Sequence, residues 1–583
     1  MHRQRYFWRF YFIVLLGYSL SGCHPKATNL ESLSFGSSKG LAISTAEPVA
    51  SDVAAKIFRS GGNIVDASVA AALAICVVRP QSVGLGGGGF LLYHSGNPNK
   101  SEIWDFREVA PRKATAKMYI QDGQLVADAS LNGPRAAGVP GLLAGLYDFQ
   151  RKYGRLPWKK IVEPSIDLAE KGVQASSHLA QRLVIRKEIL LKDPSLASIF
   201  FKKGRAIRAG ETFVQQDLAL TLRQIAAKGK KYFYRGEFAD HFAAYMKESG
   251  GLIEKADLEN YHVRMRKPIA MKWRNYTVLT MPPPSSGGIK LLQVLRIVDE
   301  IPESFKNSFP EKLDDGASAG IVISEIEAFK RAFADGGLYV GDPDFVKVPT
   351  KKLLDASYLE KRAYEIEYDK IVPSADVRPF GTDGTQPKQT THLSFMDSNG
   401  NAVSMTISHN FYWGAGVVVP GTGVILNDTM DDFTTEPGKP NATYGLLSGE
   451  ANKIAPGKRP VSSMTPTILL DAKKNNQVVM VLGAPGGATI PAQLHYVLTR
   501  ILRDHKPMDE AIAACRFTHQ WMPDKLKVEP NCRREFRALE KYYSIDEMKA
   551  IFGEVQVVGH DDHGLAYSLT DPRGGGKPLI AVH

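Results

Sequence analysis

The chain has 583 residues, of which 44% are hydrophobic and 23% are charged, a composition typical of a folded globular protein and not of a disordered one. Its formal net charge is +12, but the basic residues form no stripe with interleaved aromatic side chains, which argues against nucleic-acid binding. An anionic membrane surface or an acidic small substrate suits this charge better. No internal repeat or long low-complexity linker divides the sequence, so we expect one large domain or two intimately packed parts.

The first 22 residues have the features of an export signal. Arg3, Arg5 and Arg9 precede an apolar run that is too short and too aromatic for a membrane-spanning helix, and their removal leaves +9 on the mature chain. The run ends in "LSGC", which resembles the bacterial lipobox, in which the cysteine, here Cys23, is lipidated and becomes the first residue. An ordinary cleaved signal peptide is the alternative. Lipidation at Cys23 predicts a periplasmic protein held to a membrane by acyl chains alone.

The three other cysteines show no metal-ligand spacing, and the sequence predicts neither a metal site nor a cofactor. Cys76 lies in the apolar run "ASVAAALAICVV", so we expect it in the core. Cys515 and Cys532 are either paired or free, and their spacing leaves both states open.

The pattern over residues 40–95 predicts a strand, two alanine-rich helices and a second strand. Asp66 lies at the start of the second helix, and the run "GLGGGG" prevents a helix from continuing. Its four glycines, residues 86–89, require unusual dihedral angles or close approach of the backbone to another group. Because no Lys-Ser/Thr follows them, they favour packing or pocket lining over phosphate binding.

Helices are predicted between residues 138 and 250, broken at Pro157 and Pro164, and again over residues 318–341. Strands dominate after the polar segment 373–389, at the hairpin that starts with Thr390 and at "GVILND", "TPTILLD", "QVVMVLGA" and "GLAYSLTD". One long helix is predicted at "PAQLHYVLTRILRDH". Helices flanking mostly antiparallel strands indicate a layered α+β fold rather than a wound parallel sheet.

The segment "QTTHLSFMDSNGNAVSMTISHN" predicts a β-hairpin around the turn "DSNG", but the hairpin does not explain why its strand opens at Thr390. A threonine at a chain N-terminus carries its own amine, whose pKa of about 7.7–8.0 suits a general base. Attack of the Thr390 hydroxyl on the Gln389 carbonyl, an N-to-O shift and hydrolysis would create that N-terminus without a protease. From the residues alone, an ordinary strand residue is the favoured interpretation.

The segment "TTHLSFMDSNGNAVSMTISHNFYWGAGVVVPGTGVILNDTMDDF" resembles the signature of the gamma-glutamyltranspeptidases, N-terminal nucleophile hydrolases with a four-layer αββα sandwich fold. Further motifs of this family occur in order along nearly the whole mature chain: "GGNIVDASVAAALA", "GLGGGGF", "WDFREVAP", "GVPGLLAGL", "YGRLPW", "PPPSSGG", "GDPDF", "KRPVSSMTPT", "APGG" and "RFTHQWMPD". The resemblance implies a precursor that cuts itself between Gln389 and Thr390. Its large subunit, residues 23–389, and its small subunit, residues 390–583, would together form one αββα domain.

The resemblance also implies roles for individual residues. Thr390 is the implied nucleophile and, through its amine, the base, while Ser408 stands where the family usually has threonine and would hydrogen-bond the nucleophile. Gly486 and Gly487 in "APGG" match the backbone donors to the tetrahedral oxyanion. Arg107, Ser462 and Ser463 match the residues that bind the α-carboxylate of a γ-glutamyl group. Asn410 and Asp432 match those that bind its α-amino group.

Some positions depart from the family pattern. Thr429 stands where relatives carry a longer Gln or Glu that helps to bind the amino group, so Asp432 has less help and strict γ-glutamyl selectivity is in doubt. Phe395 and Trp413 also differ in type from the usual residues, changes that packing can absorb.

The segment "PGKPNATYGLLSGEANKIAPGKRP" resembles the lid loop of some family members, with Tyr444 as the residue that covers the substrate pocket and partly excludes water. His392 and His409 lie close to the implied nucleophile in sequence. We assign them structural roles, because a threonine that supplies its own base needs no histidine.

These matches predict a periplasmic gamma-glutamyltranspeptidase, or glutathione hydrolase. It would cleave γ-glutamyl amides such as glutathione through a γ-glutamyl–Thr390 ester, which water or an amino-acid or peptide acceptor resolves. The alternative enzyme is an acylase of the same family for glutaryl or cephalosporin-type amides, whose substrates lack the amino group that Asp432 would face. The alternative outside enzymes is a non-catalytic γ-glutamyl-binding lipoprotein, against which the intact Thr390 and Ser408 argue.

Overall fold

The computed structural model describes residues 33–36, 39–126, 128–366, 370–377, 390–435, 449–561 and 563–582. Three predicted features lie outside the described residues. They are the export signal with Cys23, Gln389 before the implied cut, and the lid residue Tyr444. Within these ranges, no helix combines the length and the apolar character that crossing a bilayer requires.

Two seven-stranded sheets lie at the centre of the molecule. Numbered in chain order, their strands are β1 Leu33–Gly36, β2 Leu41–Thr45, β3 Gly88–Ser95, β4 Lys100–Asp105, β5 Arg264–Arg266, β6 Ile269–Trp273, β7 Tyr276–Thr280, β8 Thr391–Asp397, β9 Ala402–Ser408, β10 Thr467–Asp471, β11 Gln477–Gly483, β12 Gln556–His560, β13 Ala566–Thr570 and β14 Lys577–Ala581. The first sheet has the order β1-β13-β12-β11-β10-β7-β6 and the second β5-β4-β3-β9-β8-β2-β14. All neighbouring strands in both sheets run antiparallel, as the sequence pattern predicts.

Helices cover the outer faces of both sheets. They are α1 Pro48–Arg59, α2 Ile64–Val78, α3 Leu142–Tyr153, α4 Trp158–Lys171, α5 Ser177–Ile185, α6 Lys187–Leu190, α7 Pro194–Phe200, α8 Gln216–Lys228, α9 Lys230–Arg235, α10 Glu237–Glu248, α11 Lys255–Glu259, α12 Gly287–Glu300, α13 Glu303–Asn307, α14 Ala319–Tyr339, α15 Thr350–Leu353, α16 Ala356–Tyr364, α17 Ile490–Leu502 and α18 Met508–Ala513. Short strands pair outside the main sheets: Ile120–Gln121 with Gln124–Leu125, Val173–Gln174 with Thr212–Phe213, Phe201–Lys202 with Arg205–Ala206, Val418–Val419 with Val424–Ile425, and Leu526–Val528 with both Phe517–Thr518 and Ile545–Glu547.

The central strands send alternate side chains into two different cores. Leu393 and Phe395 of β8 face a helical layer that includes α1 to α4 and α8 to α10. Met396 of the same strand packs between the sheets with Phe90 and Ile468. Helices α12 and α17 pack on the outer face of the first sheet. The protein is therefore a four-layer αββα sandwich, and the predicted fold class is confirmed.

Local predictions for the first helices agree with the structure. Asp66 is the third residue of α2 and completes a capping box with Asn63, and α2 is buried on all sides. Cys76, near the end of α2, is buried in the core, as predicted. The two aromatic residues that depart from the family pattern, Phe395 and Trp413, are also fully buried.

The prediction that Pro164 breaks a helix is wrong, because Pro164 lies inside α4. Pro157 does mark a boundary, since it immediately precedes the helix. Pro164 shares the buried side of α4 with Ile161 and Val162, so burial of this apolar side outweighs the backbone hydrogen bond that proline cannot make. The structure also settles the state of Cys515 and Cys532, which form a disulfide.

Candidate functional site

Thr390 immediately precedes β8 and lies beside the end of β9. The two strands pair with Thr391 opposite Ile407, so the same register places Thr390 opposite Ser408. Both residues are buried. Because side chains alternate along a strand, Thr390 and Ser408 share the face of His392, which points between the two sheets. The predicted nucleophile and its predicted hydroxyl partner are therefore cross-strand neighbours.

Side-chain hydrogen bonds fix the backbone that follows β9. The backbone N–H of Asn410 donates to Ser408 Oγ at 2.8 Å, and Asn410 adopts a left-handed φ of +86°. Its Nδ2 donates to the carbonyl oxygen of Asp428 at 3.2 Å, and the Asp428 carboxylate accepts from the backbone N–H of Phe411 at 2.8 Å. These bonds join the end of β9 to the segment that carries Asp432.

Close backbone packing accounts for the glycine run 86–89. A Cβ on Gly87 would lie 2.2 Å from the carbonyl oxygen of Ser408. Gly88 pairs with Ser408 in the ladder of β3 and β9, and a Cβ there would lie 2.6 Å from Oε2 of Glu108. The run has the packing role that the sequence predicts. Because Gly88 has no side chain, the Glu108 carboxylate also occupies the space next to it, and Gly88 is the residue that pairs with Ser408.

Arg107 and Asp432, which the resemblance assigns to opposite charges of a substrate, pair directly with each other. Arg107 Nη2 donates to Asp432 Oδ2, and Arg107 Nη1 lies 3.5 Å from Glu108 Oε2. Asp432 Oδ1 has no hydrogen-bond partner among the described residues. Burial raises the pKa of Asp432 to about 8, Arg107 opposes this shift, and the carboxylates of Asp431 and Asp428 add to it. A buried cation beside a carboxylate with one oxygen to spare complements a ligand that carries an α-carboxylate next to an α-ammonium.

Glu108 is a site residue that the sequence reasoning missed. Its carboxylate is fully buried between Arg107 and Gly88, and its Oε1 has no hydrogen-bond partner within the described ranges. Burial raises the pKa of Glu108 to about 7, against the effect of Arg107. Its position in the sequence could have indicated it, because Glu108 directly follows Arg107 in the family motif "WDFREVAP". The resemblance implies a role there for the arginine alone.

Thr429 uses its hydroxyl proton within its own turn. Its Oγ1 donates to Asn427 Oδ1, and Asn427 Nδ2 donates to the carbonyl oxygens of Gly86 and Gly138 at 2.7 and 2.8 Å. Among the described residues, no hydrogen bond joins Thr429 to Asp432. The expectation that Thr429 leaves Asp432 with little help stays a prediction.

Asn452 links the segment of Asp432 to the turn at residues 462–463, and sequence reasoning missed it as well. Its Nδ2 donates to the carbonyl oxygen of Asp432 at 2.7 Å, and its Oδ1 accepts from the backbone N–H of Val461 at 3.0 Å. The carbonyl oxygen of Val461 lies 3.5 Å from Arg107 Nη2. Ser462 and Ser463 thus follow directly after a residue that contacts the arginine.

Gly486 and Gly487 form the turn between β11 and α17. Their φ values of +129° and +57° lie in the region that favours glycine. The turn meets the start of β8, because a Cβ on Gly483, the last residue of β11, would lie 2.1 Å from the ring of His392. Neither backbone N–H of Gly486 and Gly487 has an acceptor within the described residues. The two donors are available to an anion at the entrance to α17.

The two histidines near Thr390 are buried and uncharged at neutral pH. His392 shares hydrogen bonds with Thr406 Oγ1 at 2.8 Å and Ser394 Oγ at 3.1 Å, whereas both ring nitrogens of His409 have no partner in the described part of the chain. Burial lowers the pKa of each to about 3. Over the same ranges, no group of three or more His, Cys, Asp and Glu side chains is arranged to bind a metal ion.

An αββα sandwich with a threonine at the head of a central strand, facing the space between the sheets, defines the class of the N-terminal nucleophile hydrolases. Solved structures of this class resemble the protein. A cephalosporin acylase from Bacillus halodurans superposes with a TM-score of 0.80 and 27% identity, covering 97% of this chain and 99% of that chain. The gamma-glutamyltranspeptidase of Helicobacter pylori gives a TM-score of 0.53 and 39% identity over 57% of this chain and 93% of that chain.

The sequence comparisons are more specific. The gamma-glutamyltranspeptidase family model matches residues 50–581. The glutathione hydrolase proenzyme of Pseudomonas aeruginosa is 39% identical over 548 residues, 93% of this chain and 94% of that protein. The Escherichia coli proenzyme is 39% identical over 534 residues, 91% of this chain and 90% of that protein. The chain belongs to the gamma-glutamyltranspeptidase family of enzymes, as the signature around Thr390 predicts.

Proposed function

We propose that the protein is a glutathione hydrolase whose nucleophile is Thr390, set free by self-cleavage of the Gln389–Thr390 bond. The observation that carries this proposal is the placement of Thr390 opposite Ser408, on the face between the sheets. Gly88, which pairs with Ser408, lies against Glu108, the neighbour of the Arg107–Asp432 pair. Membership of the family supports γ-glutamyl amides such as glutathione as substrates.

In maturation, Thr390 Oγ attacks the carbonyl carbon of Gln389. The peptide C–N bond breaks as the ester forms, and the nitrogen takes the hydroxyl proton and becomes the free amine of Thr390. Water then hydrolyses the ester, which leaves Gln389 with a carboxylate. Residues 23–389 and 390–583 stay together after the cut because β8 is hydrogen-bonded to β2 of the large subunit and to β9 of the small one.

In catalysis, the amine of Thr390 takes the proton from Oγ as Oγ attacks the δ-carbonyl carbon of the γ-glutamyl amide. The amides of Gly486 and Gly487 donate to the oxyanion of the tetrahedral intermediate. Collapse of the intermediate breaks the amide bond, and the leaving nitrogen takes the proton from the Thr390 ammonium. Water, an amino acid or a peptide then attacks the ester by the same proton exchange, while Ser408 orients the nucleophile.

Arg107, with Ser462 and Ser463, binds the α-carboxylate of the substrate, and Asp432, with Asn410, binds the α-ammonium. The free carboxylate oxygen of Asp432 supports this assignment, since a glutaryl amide has no ammonium to offer it. This favours γ-glutamyl hydrolysis over the acylase activity that some family relatives are named for. From their sequence motifs we further propose that Tyr444 covers the pocket and that Cys23 anchors the exported protein to a membrane.

The proposal is tested on purified protein with a denaturing gel, N-terminal sequencing and release of glutamate from glutathione and from γ-glutamyl p-nitroanilide. We expect two fragments, the smaller beginning Thr-Thr-His-Leu-Ser. Thr390→Ala should leave one uncut and inactive chain, whereas Thr390→Ser keeps a hydroxyl and should retain some cleavage. An uncut chain with full activity would refute the mechanism.

A further inference from the structure

Lys290, in the first turn of α12, is a buried lysine without a carboxylate partner in the described part of the chain. It is 2% exposed, its Nζ lies 3.0 Å from Ser286 Oγ, and the same atom lies 4.3 Å from the centroid of the Phe333 ring. Helix α14 leaves room for it, because a Cβ on Gly336 would lie 2.6 Å from Lys290 Cε. Burial of an unpaired ammonium is costly, so this placement calls for a role.

The hydrogen bond from Lys290 determines where the single hydroxyl proton of Ser286 points. Ser286 Oγ accepts from Nζ, and its own proton goes to the carbonyl oxygen of Ser462 at 3.1 Å. The backbone N–H of Ser286 donates to the same oxygen at 2.8 Å. The Ser462 carbonyl oxygen thus accepts from both donors of Ser286, and Lys290 orients the hydroxyl of this pair. Ser285 Oγ also lies 3.2 Å from this oxygen, but it has a shorter hydrogen bond, 2.7 Å, to the carbonyl oxygen of Met464.

The fixed carbonyl orients the turn formed by Ser462 and Ser463. Ser462 Oγ accepts from the backbone N–H of Met464 at 3.1 Å, which leaves its hydroxyl proton to donate to a ligand. Resting on the proposed function, we propose that Lys290 is a positioning residue for the α-carboxylate of the substrate, acting through Ser286 on the carbonyl of Ser462. Lys290 itself touches neither the substrate nor the reacting atoms.

The charged groups on the elements packed against α12 are engaged elsewhere or exposed. Asp335 of α14 accepts from Arg362 of α16 at 3.2 Å, and His495 of α17 lies 3.4 Å from Glu325. The lysines of α15 and β6 are exposed: Lys351, Lys352 and Lys272.

Burial alone lowers the pKa of Lys290 to about 7. Once Lys290 loses its proton, the amine becomes an acceptor that competes with the Ser462 carbonyl for the Ser286 hydroxyl proton. Binding of the α-carboxylate should therefore weaken as the pH rises above 7.

The test compares Lys290→Met, Ser286→Ala and the double variant with γ-glutamyl p-nitroanilide. We expect each single change to raise KM about three- to tenfold and to leave kcat within about twofold, the loss of one oriented hydrogen bond. The double variant should be no worse than either single one, because both changes break the same relay. Lys527→Met is the matched control, since Lys527 is also a buried lysine but donates to Gln520.

A second substrate, 4-aminobutyryl p-nitroanilide, keeps the amine and lacks the α-carboxylate, so its kcat/KM should not change in these variants. Four results would overturn the proposal: additive effects of the two changes in the double variant, a loss confined to kcat, equal losses on both substrates, or the same loss in Lys527→Met. If Lys290→Met does not fold, Ser286→Ala decides. With glutaryl p-nitroanilide, which keeps the carboxylate and has no ammonium for Asp432 to bind, KM of the wild type should rise above pH 7, and this rise must be absent from Ser286→Ala. Wild-type protein that does not cleave the γ-glutamyl substrate would refute the proposed function instead.

Discussion

Replacement of Asp432 by asparagine separates the two enzymatic interpretations of this site. In the structure, one carboxylate oxygen of Asp432 accepts from Arg107 and the other has no partner among the described residues. Asparagine keeps the shape and can still accept from Arg107 through its carbonyl oxygen. It then presents an NH₂ group to the substrate ammonium, so a donor meets a donor and the attraction is lost.

The loss expected for a γ-glutamyl substrate is that of one charge-assisted hydrogen bond, roughly 1.5–3 kcal/mol, or about ten- to a hundredfold in kcat/KM. A glutaryl amide has no ammonium, so its cleavage should hold steady or improve in the same variant. The assay measures kcat/KM of the wild type and of Asp432→Asn with γ-glutamyl and glutaryl p-nitroanilides, after a gel has shown that both proteins cleave themselves.

The pH profile gives an independent check. Burial raises the pKa of Asp432 to about 8 against the influence of Arg107, and only the ionised carboxylate attracts an ammonium. In the wild type, the ratio of kcat/KM for the γ-glutamyl over the glutaryl substrate should rise with pH up to about 8, while the amine of Thr390 affects both substrates alike. The ratio should be flat in Asp432→Asn. Equal losses on both substrates in a self-cleaving variant would show that Asp432 is structural and refute this reasoning.

Two further predictions concern other parts of the chain. Cys23→Ser should move activity from the membrane fraction to the soluble fraction without changing kcat, and wild-type protein that is already soluble, with a different mature N-terminus, would contradict the lipid anchor. His409→Leu should stabilise the protein by about 1–3 kcal/mol, because it removes a buried ring whose nitrogens have no partner in the described residues. Burial lowers the His409 pKa to about 3, so the folded state binds fewer protons than the unfolded chain between pH 3 and about 6.5, and stability is lost as the pH falls through that window. The gain in Tm should accordingly be larger at pH 5 than at pH 8, and a lower Tm at both values would contradict the argument.

The sequence by itself determined the local elements and the identity of the family. The hairpin after Thr390 follows from alternation and turn residues, and the start of α2 follows from its cap, because both depend on interactions within a few residues. The motif "TTHLSF" and the other family motifs along the chain indicated the αββα class. The register of β8 and β9 in the structure then places Thr390 opposite Ser408.

Tertiary structure alone decided which distant side chains meet. Arg107 and Asp432 are 325 positions apart, and their direct pairing depends on how the segments after β4 and β9 come together. The same holds for Glu108 beside Gly88, for Asn452 between Asp432 and Val461, and for the Cys515–Cys532 disulfide. Pro164 shows the limit for local structure too, since its place inside α4 depends on an apolar face that is buried only when the helix packs. Local preferences are fixed by neighbouring residues, whereas burial, pKa shifts and long-range contacts arise only when the layers assemble.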